Sequence, residues 1–310
     1  MRYVPRVERD VDERATRAAD PPRARTPASV AVCVLATGRP AYYRVARGAV
    51  RSTLRRTPFD VFVAVGERAR WRGPHGGRVR VHALDDGLPR IAHRAGPFLD
   101  KFRALDACLR HTTAERVVLL DGDARFVART SADDVERALD GRPLAMAEQT
   151  TIRGSGMTRA DFLAHYATHS LAWLGAGDAP PPLDAFRFFN SGVVLARRDG
   201  LAPLVAWALE RMRAAGDAHQ AGEHMIADQD YFQLWTNTLH PGTCTTLSWD
   251  WNHCEHWDDG FPRAGARIVH SSNFCRGPSR TGSLRLAARL ALARVGRALS
   301  GAAQAAGGGA

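Results

Sequence analysis

Short apolar runs alternate with longer amphipathic segments over the first half of the chain. Four of these runs are rich in Val, Leu and Ala and are followed by glycine or polar residues, which is typical of buried strands. The predicted strands lie at 29–36, 60–66, 78–84 and 115–120. Segments 41–56 and 97–111 between them predict helices. Because strands covered on both faces are apolar throughout, the pattern predicts an α/β fold, with a mainly parallel sheet flanked by helices.

The helix predicted at 97–111 shows its apolar face directly in the sequence. Phe98, Phe102, Leu105 and Leu109 recur at the spacing of a helical turn and therefore share one side of the helix.

The second half of the chain has a weaker pattern. Three prolines at 180–182 mark a break, and the segment FRFFNSGVVLAR at 186–197 then predicts a strand with a polar interruption. Helices are predicted at 199–214 and 225–239, and shorter strands at 242–249 and 266–270.

The two ends of the chain differ from its body. Residues 1–27 mix charges with prolines and predict a disordered arm. Residues 276–310 predict a basic helix followed by a low-complexity tail. The folded domain is therefore expected at 28–275.

The charge is concentrated in these ends. The 310 residues carry a formal net charge of +11, of which 1–27 contribute +2 and 276–310 contribute +6, leaving +3 for the body. A nucleic-acid-binding domain needs a basic face on the folded part, so we expect no nucleic-acid partner. The Arg-rich, nearly Lys-free composition, in which Lys101 is the sole lysine, is best explained by coding bias.

Cysteine usage and hydropathy bear on the compartment. The five cysteines form no CxxC pair, which predicts free thiols in a reducing environment. No apolar run reaches the length of a membrane span, and the N-terminal segment lacks the apolar stretch of a secretory signal. We expect a cytoplasmic protein. The basic segment 283–299 leaves open a peripheral contact with an anionic membrane surface.

The sharpest chemical signal is VVLLDGDARFV, in which a predicted strand ends in two carboxylates. Residues two apart on extended backbone point to the same side, so Asp121 and Asp123 can converge on one ligand while Gly122 permits close approach. A divalent cation with oxygen ligands would relieve their repulsion. The motif predicts a Mg²⁺ or Mn²⁺ site, the alternative being two solvated acids in a turn.

Three further segments place polar residues among apolar ones. Asn190, Ser191 and Gly192 interrupt a predicted strand, which is unusual for core. The Asp228-Gln229 pair opens a predicted helix, where acidic residues and free N–H groups can hold polar substrate atoms. His270 ends the short apolar run ARIVH.

In chain order, LLDGD, FFNSGVVL, ADQDYFQLW, WN and IVH resemble the motifs of metal-dependent glycosyltransferases of the GT-A fold. The resemblance is closest to the retaining glycosyltransferase family 8, which includes glycogenin and bacterial α-galactosyltransferases, and covers residues 29–275. It implies one GT-A domain with a smaller acceptor-side subregion. The implied activity is transfer of a hexose from a UDP-sugar to a hydroxyl acceptor, with retention of configuration.

The resemblance also implies roles for individual residues. Asp121, Asp123 and His270 would hold Mn²⁺ or Mg²⁺, with Asp121 also on the donor side. Gln229 and Asp228 would be the catalytic pair beneath the anomeric carbon. The remaining donor-binding positions would be Ala36, Thr37, Lys101, Arg103, Asn190, Ser191 and Gly192.

One segment departs from the family pattern. The family carries a glycine, a lysine and a tryptophan after the late histidine, whereas His270 is followed by SSNFCRGPSR. Arg276-Gly277 could replace that diphosphate clamp. Donor handling and stereochemistry are the properties that this departure affects.

Other functions remain open at this point. VVLLDGDARF also resembles the first motif of haloacid-dehalogenase-type phosphatases, although those place the motif on their first strand and the neutralising lysine downstream. A non-catalytic nucleotide-sugar-binding protein would carry the same motifs. Zinc is a weaker alternative, because the spacing of the late His and Cys residues fits no standard structural site. These are His240, Cys244, His253, Cys254, His256, His270 and Cys275.

Overall fold

The computed structural model describes residues 29–84, 96–150, 157–175, 178–215, 226–255 and 263–271. The predicted arm at 1–27, the tail at 276–310 with its helix at 283–299, and the clamp at Arg276-Gly277 lie outside the described residues.

Strands and helices alternate in the first half of the chain, as the apolar pattern predicts. The strands are β1 Val30–Ala36, β2 Asp60–Val65, β3 Val79–Ala83 and β4 Arg116–Leu120. The helices are α1 Pro40–Arg56, between β1 and β2, and α2 Gly96–His111, which leads to β4. Proline at the first position of α1 suits a helix start, because the missing N–H has no partner there.

Several elements follow β4 that the sequence pattern does not predict. They are β5 Ala124–Phe126, α3 Ala132–Leu139, β6 Leu144–Glu148, α4 Arg159–His165, a π-helical segment Tyr166–Leu171 and α5 Ala172–Leu174. The first two helices, α3 and α4, begin with capping boxes at Ser131 and Thr158, in which side chain and backbone exchange hydrogen bonds.

The last elements agree closely with the predicted ones, except for β9, which the sequence pattern does not predict. They are β7 Phe189–Arg197, α6 Arg198–Ala215, α7 Asp228–Leu234 with a π-helical continuation Trp235–Leu239, β8 Cys244–Leu247, β9 His253–Cys254 and β10 Ile268–His270.

Seven strands form one mostly parallel sheet in the order β3-β2-β1-β4-β7-β6-β8. Strands β1 to β4 are parallel, β7 runs antiparallel to both of its neighbours, and β8 is parallel to β6. A small second sheet joins β5, β10 and β9. The α/β class and the mainly parallel sheet flanked by helices are therefore confirmed.

Apolar side chains fill both faces of the large sheet. One core contains Phe102 and Leu105 of α2, while the other contains Ala46 and Val50 of α1. Phe98 at the start of α2 is 43% exposed, although it shares the helical spacing of the buried Phe102 and Leu105. Periodicity assigns a residue to a side of the helix, but the first turn extends past the surface on which that side packs.

The described cysteines are free, as expected. Cys33, Cys108 and Cys254 are buried, and Cys244 is partly buried. Within the described ranges, no helix combines the length and hydropathy that a membrane crossing requires.

Candidate functional site

Asp121, Asp123 and His270 meet at the carboxyl edge of the parallel strands. Nε2 of His270 lies 3.2 Å from Oδ1 of Asp123 and 3.9 Å from Oδ2 of Asp121. One donor atom from each residue lies within 4.8 Å of the others. We refer to these three residues as the Asp–Asp–His cluster.

Strand pairing explains why residues so far apart in sequence meet. The antiparallel pairing of β5 with β10 places His270 opposite Ala124, which directly follows Asp123. The backbone N–H of Ser271 also donates to the carbonyl of Asp123 at 3.0 Å. A histidine at the end of β10 is thereby fixed beside a carboxylate at the end of β4.

A chain of side-chain amides orients His270. Its Nδ1 lies 3.2 Å from Oδ1 of Asn252, an oxygen that can only accept, so Nδ1 donates. Nδ2 of Asn252 in turn donates to Oδ1 of Asn190 at 3.0 Å. Because Nδ1 keeps its proton, loss of the Nε2 proton to an incoming metal ion would leave the Nε2 lone pair directed toward the two aspartates, as metal-binding histidines require.

Lys101 links the cluster to α7. Its Nζ lies 2.7 Å from Oδ1 of Asp121 and 2.7 Å from Oδ2 of Asp228. Oδ2 of Asp228 also accepts from Oγ of Ser191 at 2.6 Å. Lys101 is only 5% exposed and Asp228 only 3%. The sole lysine of the chain is therefore a buried bridge between two carboxylates.

The protonation preferences indicate a site with excess negative charge. Burial raises the pKa of Asp121 to about 6, and the neighbouring Asp123 and Asp228 add to this against the opposing effect of Lys101 and His270. Burial lowers the pKa of His270, but its hydrogen bond to Asp123 and the charges of both aspartates outweigh this, so the pKa lies above its ordinary value. A site that favours extra protons also favours a cation.

The pKa of Asp123 is lowered and that of Lys101 is raised, and in both cases neighbouring groups of opposite charge outweigh the effect of burial. Burial alone would raise the pKa of Asp123, but the hydrogen bond and charge of His270 bring it below the usual range. Burial alone would lower the pKa of Lys101, but Asp121 and Asp228 raise it. Lys101 therefore stays charged at neutral pH.

The donor set fits a divalent cation. Three carboxylates, Asp121, Asp123 and Asp228, face one ammonium group, so the site carries two negative charges when His270 is neutral. A divalent ion between the two aspartates and Nε2 would neutralise both charges. Two carboxylates with one imidazole suit Mn²⁺ better than Mg²⁺, which prefers oxygen ligands alone.

Thr37 and Arg103 belong to a neighbouring group of contacts. Oγ1 of Thr37 donates to Oδ2 of Asp100 at 3.1 Å, and Nη1 of Arg103 pairs with Oδ1 of the same residue at 3.0 Å. Nη2 of Arg103 lies 3.4 Å from the carbonyl of Leu84. Ala36 is fully buried at the end of β1. Arg103 thus faces the ends of β1 and β3, whereas Lys101 faces the metal-binding candidates.

Gln229 and Gly192 complete the predicted set. Gln229 is half-buried on α7 between two buried aspartates. Among the described residues, no hydrogen bond joins it to the Asp–Asp–His cluster. Gly192 packs directly under His270: a Cβ at this position would lie 2.2 Å from Cε1 of the imidazole. Its carbonyl accepts from the N–H of Asp121 at 2.9 Å.

Sequence reasoning missed two residues of this site. Asn252 belongs to the WN segment but is assigned no role there, although it is fully buried and contacts His270. Asp100 stands next to the sole lysine, and only the structure shows that it connects Thr37 with Arg103. A buried amide has no signature in one sequence.

A groove of about 440 Å³ lies elsewhere on the molecule. Arg55, Arg56, Arg129 and Asp134 are among the residues that line it. It adjoins the end of α1 and therefore the amino edge of β2, opposite to the edge where parallel sheets bind ligands. The candidate site and this groove have no residue in common.

Comparison with protein-family models and with curated proteins gives no relative for this chain. No protein-family model matches it, and a search of curated proteins finds no significant match. The assignment of function therefore depends on the site.

Proposed function

We propose that the protein is a metal-dependent glycosyltransferase that moves a hexose from a UDP-sugar to a hydroxyl acceptor, with retention of configuration. The observation that supports this most is the meeting of motif segments in one site. Residues of LLDGD, FFNSG, ADQD, WN and IVH are distant in sequence yet contact one another at the carboxyl edge of the sheet.

Charge development during transfer explains the arrangement. Breaking the anomeric C–O bond leaves negative charge on the diphosphate and positive charge on the sugar ring. Asp121, Asp123 and His270 would hold Mn²⁺, which when bound acts as a Lewis acid toward the diphosphate. The ammonium group of Lys101, 2.7 Å from Asp121, adds a fixed positive charge at the same place.

Asp228 and Gln229 would have different roles in the transfer. Because Asp228 is buried and accepts from both Lys101 and Ser191, its role is to position the ammonium group. Gln229, the more accessible neighbour, would present its amide oxygen to the positive anomeric centre. Asn190 and Ser191 on β7 would contact donor hydroxyls, and Thr37 at the end of β1 would contact the nucleotide.

A phosphatase that forms a phosphoaspartate at Asp121 is the second candidate. The contact between Lys101 and Asp121 favours it, because a cation beside the nucleophile would stabilise such an intermediate. The upstream position of Lys101 in the sequence therefore does not exclude this chemistry. Two features favour the transferase instead: Lys101 is shared with Asp228, and His270 completes a metal-binding set with Asp123.

The decisive experiment is a screen of nucleotide sugars for Mn²⁺-dependent hydrolysis, with p-nitrophenyl phosphate as the phosphatase probe. We expect the wild type to release UDP from at least one UDP-sugar and Asp123→Ala to lose this activity. Asp133→Ala is the matched control, because Asp133 is an exposed acid on α3, outside the site.

Three outcomes would overturn the transferase assignment. They are equal UDP release without a divalent metal, equal UDP release by Asp123→Ala, and hydrolysis of p-nitrophenyl phosphate without UDP release. Binding of UDP-sugar and Mn²⁺ without turnover of any donor would instead support a non-catalytic binding protein.

A further inference from the structure

A second cluster of metal-binding side chains lies where the helical segment beginning at α4 packs against α7. His165 ends α4, His169 lies one turn later in the π-helical segment, and Asp230 lies in the first turn of α7. One donor atom from each residue lies within 4.8 Å of the others. We call these residues the His–His–Asp cluster.

The two histidines are arranged as a pair. They are four residues apart, so they share one side of the helix, as do the two zinc-binding histidines of an HExxH motif. Their rings stack with centroids 4.8 Å apart and an interplanar angle of 21°. His165 is exposed and His169 is half-buried, so a cation can reach them from solvent.

Asp230 is a buried carboxylate held in a fixed orientation. It is 8% exposed, and its Oδ1 accepts from Oγ of Ser170 at 2.6 Å while Oδ2 accepts from the N–H of Ala227 at 2.8 Å. No arginine or lysine of the described residues forms an ion pair with it. Each oxygen keeps a further lone pair, and hydrogen bonds of this kind orient metal-binding carboxylates.

From this geometry we infer that His165, His169 and Asp230 form a Zn²⁺ site with one open coordination position. Two imidazoles and one carboxylate are a donor set typical of zinc. A tetrahedral ion with bonds of about 2.1 Å needs donor atoms roughly 3.4 Å apart, so shifts of about an ångström would suffice. The bound ion would neutralise the buried Asp230 and join two helices that are distant in sequence.

This site is separate from the Asp–Asp–His cluster and does not depend on the proposed transferase activity. It shares no residue with that cluster. Asp230 is nevertheless only two residues from Asp228, which holds Lys101. Occupancy would therefore stabilise the start of α7, the segment that positions the sole lysine.

Zinc titration of the full chain against a chromophoric zinc indicator tests the inference. We expect Asp121→Ala/Asp123→Ala to keep a site that competes with the indicator. We expect His165→Ala/His169→Ala to bind zinc at least about tenfold more weakly at this site, since two of three ligands are gone. His75→Ala is the matched control, because His75 is an exposed histidine elsewhere.

A second measurement separates metal binding from misfolding. Zinc raises the melting temperature of a protein that binds it only when folded. In the Asp121→Ala/Asp123→Ala background, which removes the other candidate metal site, the rise should persist when His75→Ala is added and be absent when His165→Ala/His169→Ala is added, with an unchanged far-UV spectrum. Equal zinc affinity with and without His165→Ala/His169→Ala in the Asp121→Ala/Asp123→Ala background would overturn the inference. Loss of the site in His75→Ala would do the same.

Discussion

The ammonium group of the buried Lys101 and the carboxylate of the half-buried Asp121 form an ion pair at 2.7 Å, in which Lys101 contacts Oδ1 while Oδ2 of Asp121 faces His270. One carboxylate thus serves both the only lysine of the chain and the candidate metal site. The contact makes the charge of Lys101 part of the metal site and gives it two measurable consequences.

The first consequence concerns stability. Replacing Lys101 by Met leaves Asp121 and Asp228 facing each other without a cation, and we expect the free energy of unfolding to fall by about 3 kcal/mol, as for other broken buried pairs. Urea denaturation measures this. Arg110→Ala, which removes an exposed pair with Asp106, should cost less than about 1 kcal/mol. Equal losses of unfolding free energy in the two variants would show that the Lys101 bridge contributes no more than an exposed ion pair.

The second consequence concerns metal affinity, which we expect the same substitution to increase although it lowers stability. Lys101→Met removes a positive charge beside Asp121, so Mn²⁺ should bind at least about tenfold more tightly than to the wild type. Electron paramagnetic resonance of free Mn²⁺ measures the change. Under the proposed function, UDP-sugar turnover should fall even as metal affinity rises. Weaker Mn²⁺ binding would mean that Lys101 supports the ligand geometry more than its charge opposes the ion.

Gly192 offers a steric test of the site. An alanine Cβ would come within 2.2 Å of Cε1 and 2.6 Å of Nδ1 of His270 and would displace the imidazole. We expect Gly192→Ala to weaken Mn²⁺ binding at least about tenfold. Gly200→Ala is the matched comparison, since its Cβ would come within 2.3 Å of Cβ of Pro143, a similar clash away from the site. Isothermal titration of both variants decides the point, and the prediction fails if they bind Mn²⁺ equally.

Asn252 should act through His270. It accepts from Nδ1 of His270, so Asn252→Ala frees the ring to turn and should lower Mn²⁺ affinity about tenfold, as second-layer changes at metal sites do. Ser248→Ala is a suitable control, because the exposed Ser248 bonds to Asp250 instead. Mn²⁺ titration with a far-UV spectrum of each variant provides the test. Unchanged affinity would assign Asn252 to packing alone.

Glu136 of α3 predicts a pH dependence of stability. Hydrogen bonds from Arg116 and Arg197 hold its pKa below the usual range against a small opposing effect of burial. A lowered carboxyl pKa contributes stability above the unfolded-state pKa and loses it as pH falls toward the folded-state pKa. Because Glu136 is 37% exposed, we expect less than about 1 kcal/mol.

The free energies of unfolding of the wild type and Glu136→Gln, measured with urea, should therefore differ at pH 7 and converge as the pH falls through the folded-state pKa of Glu136. The control is Asp133→Asn, which changes an exposed neighbour on the same helix. A difference that grows as the pH is lowered would contradict the assignment of Arg116 and Arg197 as partners of the ionised form.

The apolar pattern predicted the parallel half of the fold within one or two residues. Runs such as 115–120 are buried on both faces, and such burial leaves a composition that is visible in one sequence. The pattern failed between β4 and β7. There β5 has three residues and α4 with its π-helical continuation has mixed polarity, so neither carries enough periods to be recognised.

The candidate site likewise contains residues that the sequence identifies and residues that it does not. Asp121 and Asp123 were identifiable because their geometry is local: two positions apart at the end of a strand, they must point to one side. The partners of those residues are not local. Lys101 meets Asp228, Asn252 meets His270 and His169 meets Asp230 only because the sheet order and helix packing bring them together.

The sequence by itself determined the class of the fold and the two carboxylates at the end of β4. Only the tertiary structure decided that Lys101 neutralises Asp121 and Asp228, that Arg103 instead pairs with Asp100, and that a second His–His–Asp cluster exists. The physical reason is the distance along the chain over which the interactions act. Backbone conformation and burial are largely set by neighbours along the chain, whereas charge pairing and ligand convergence depend on distances across the fold.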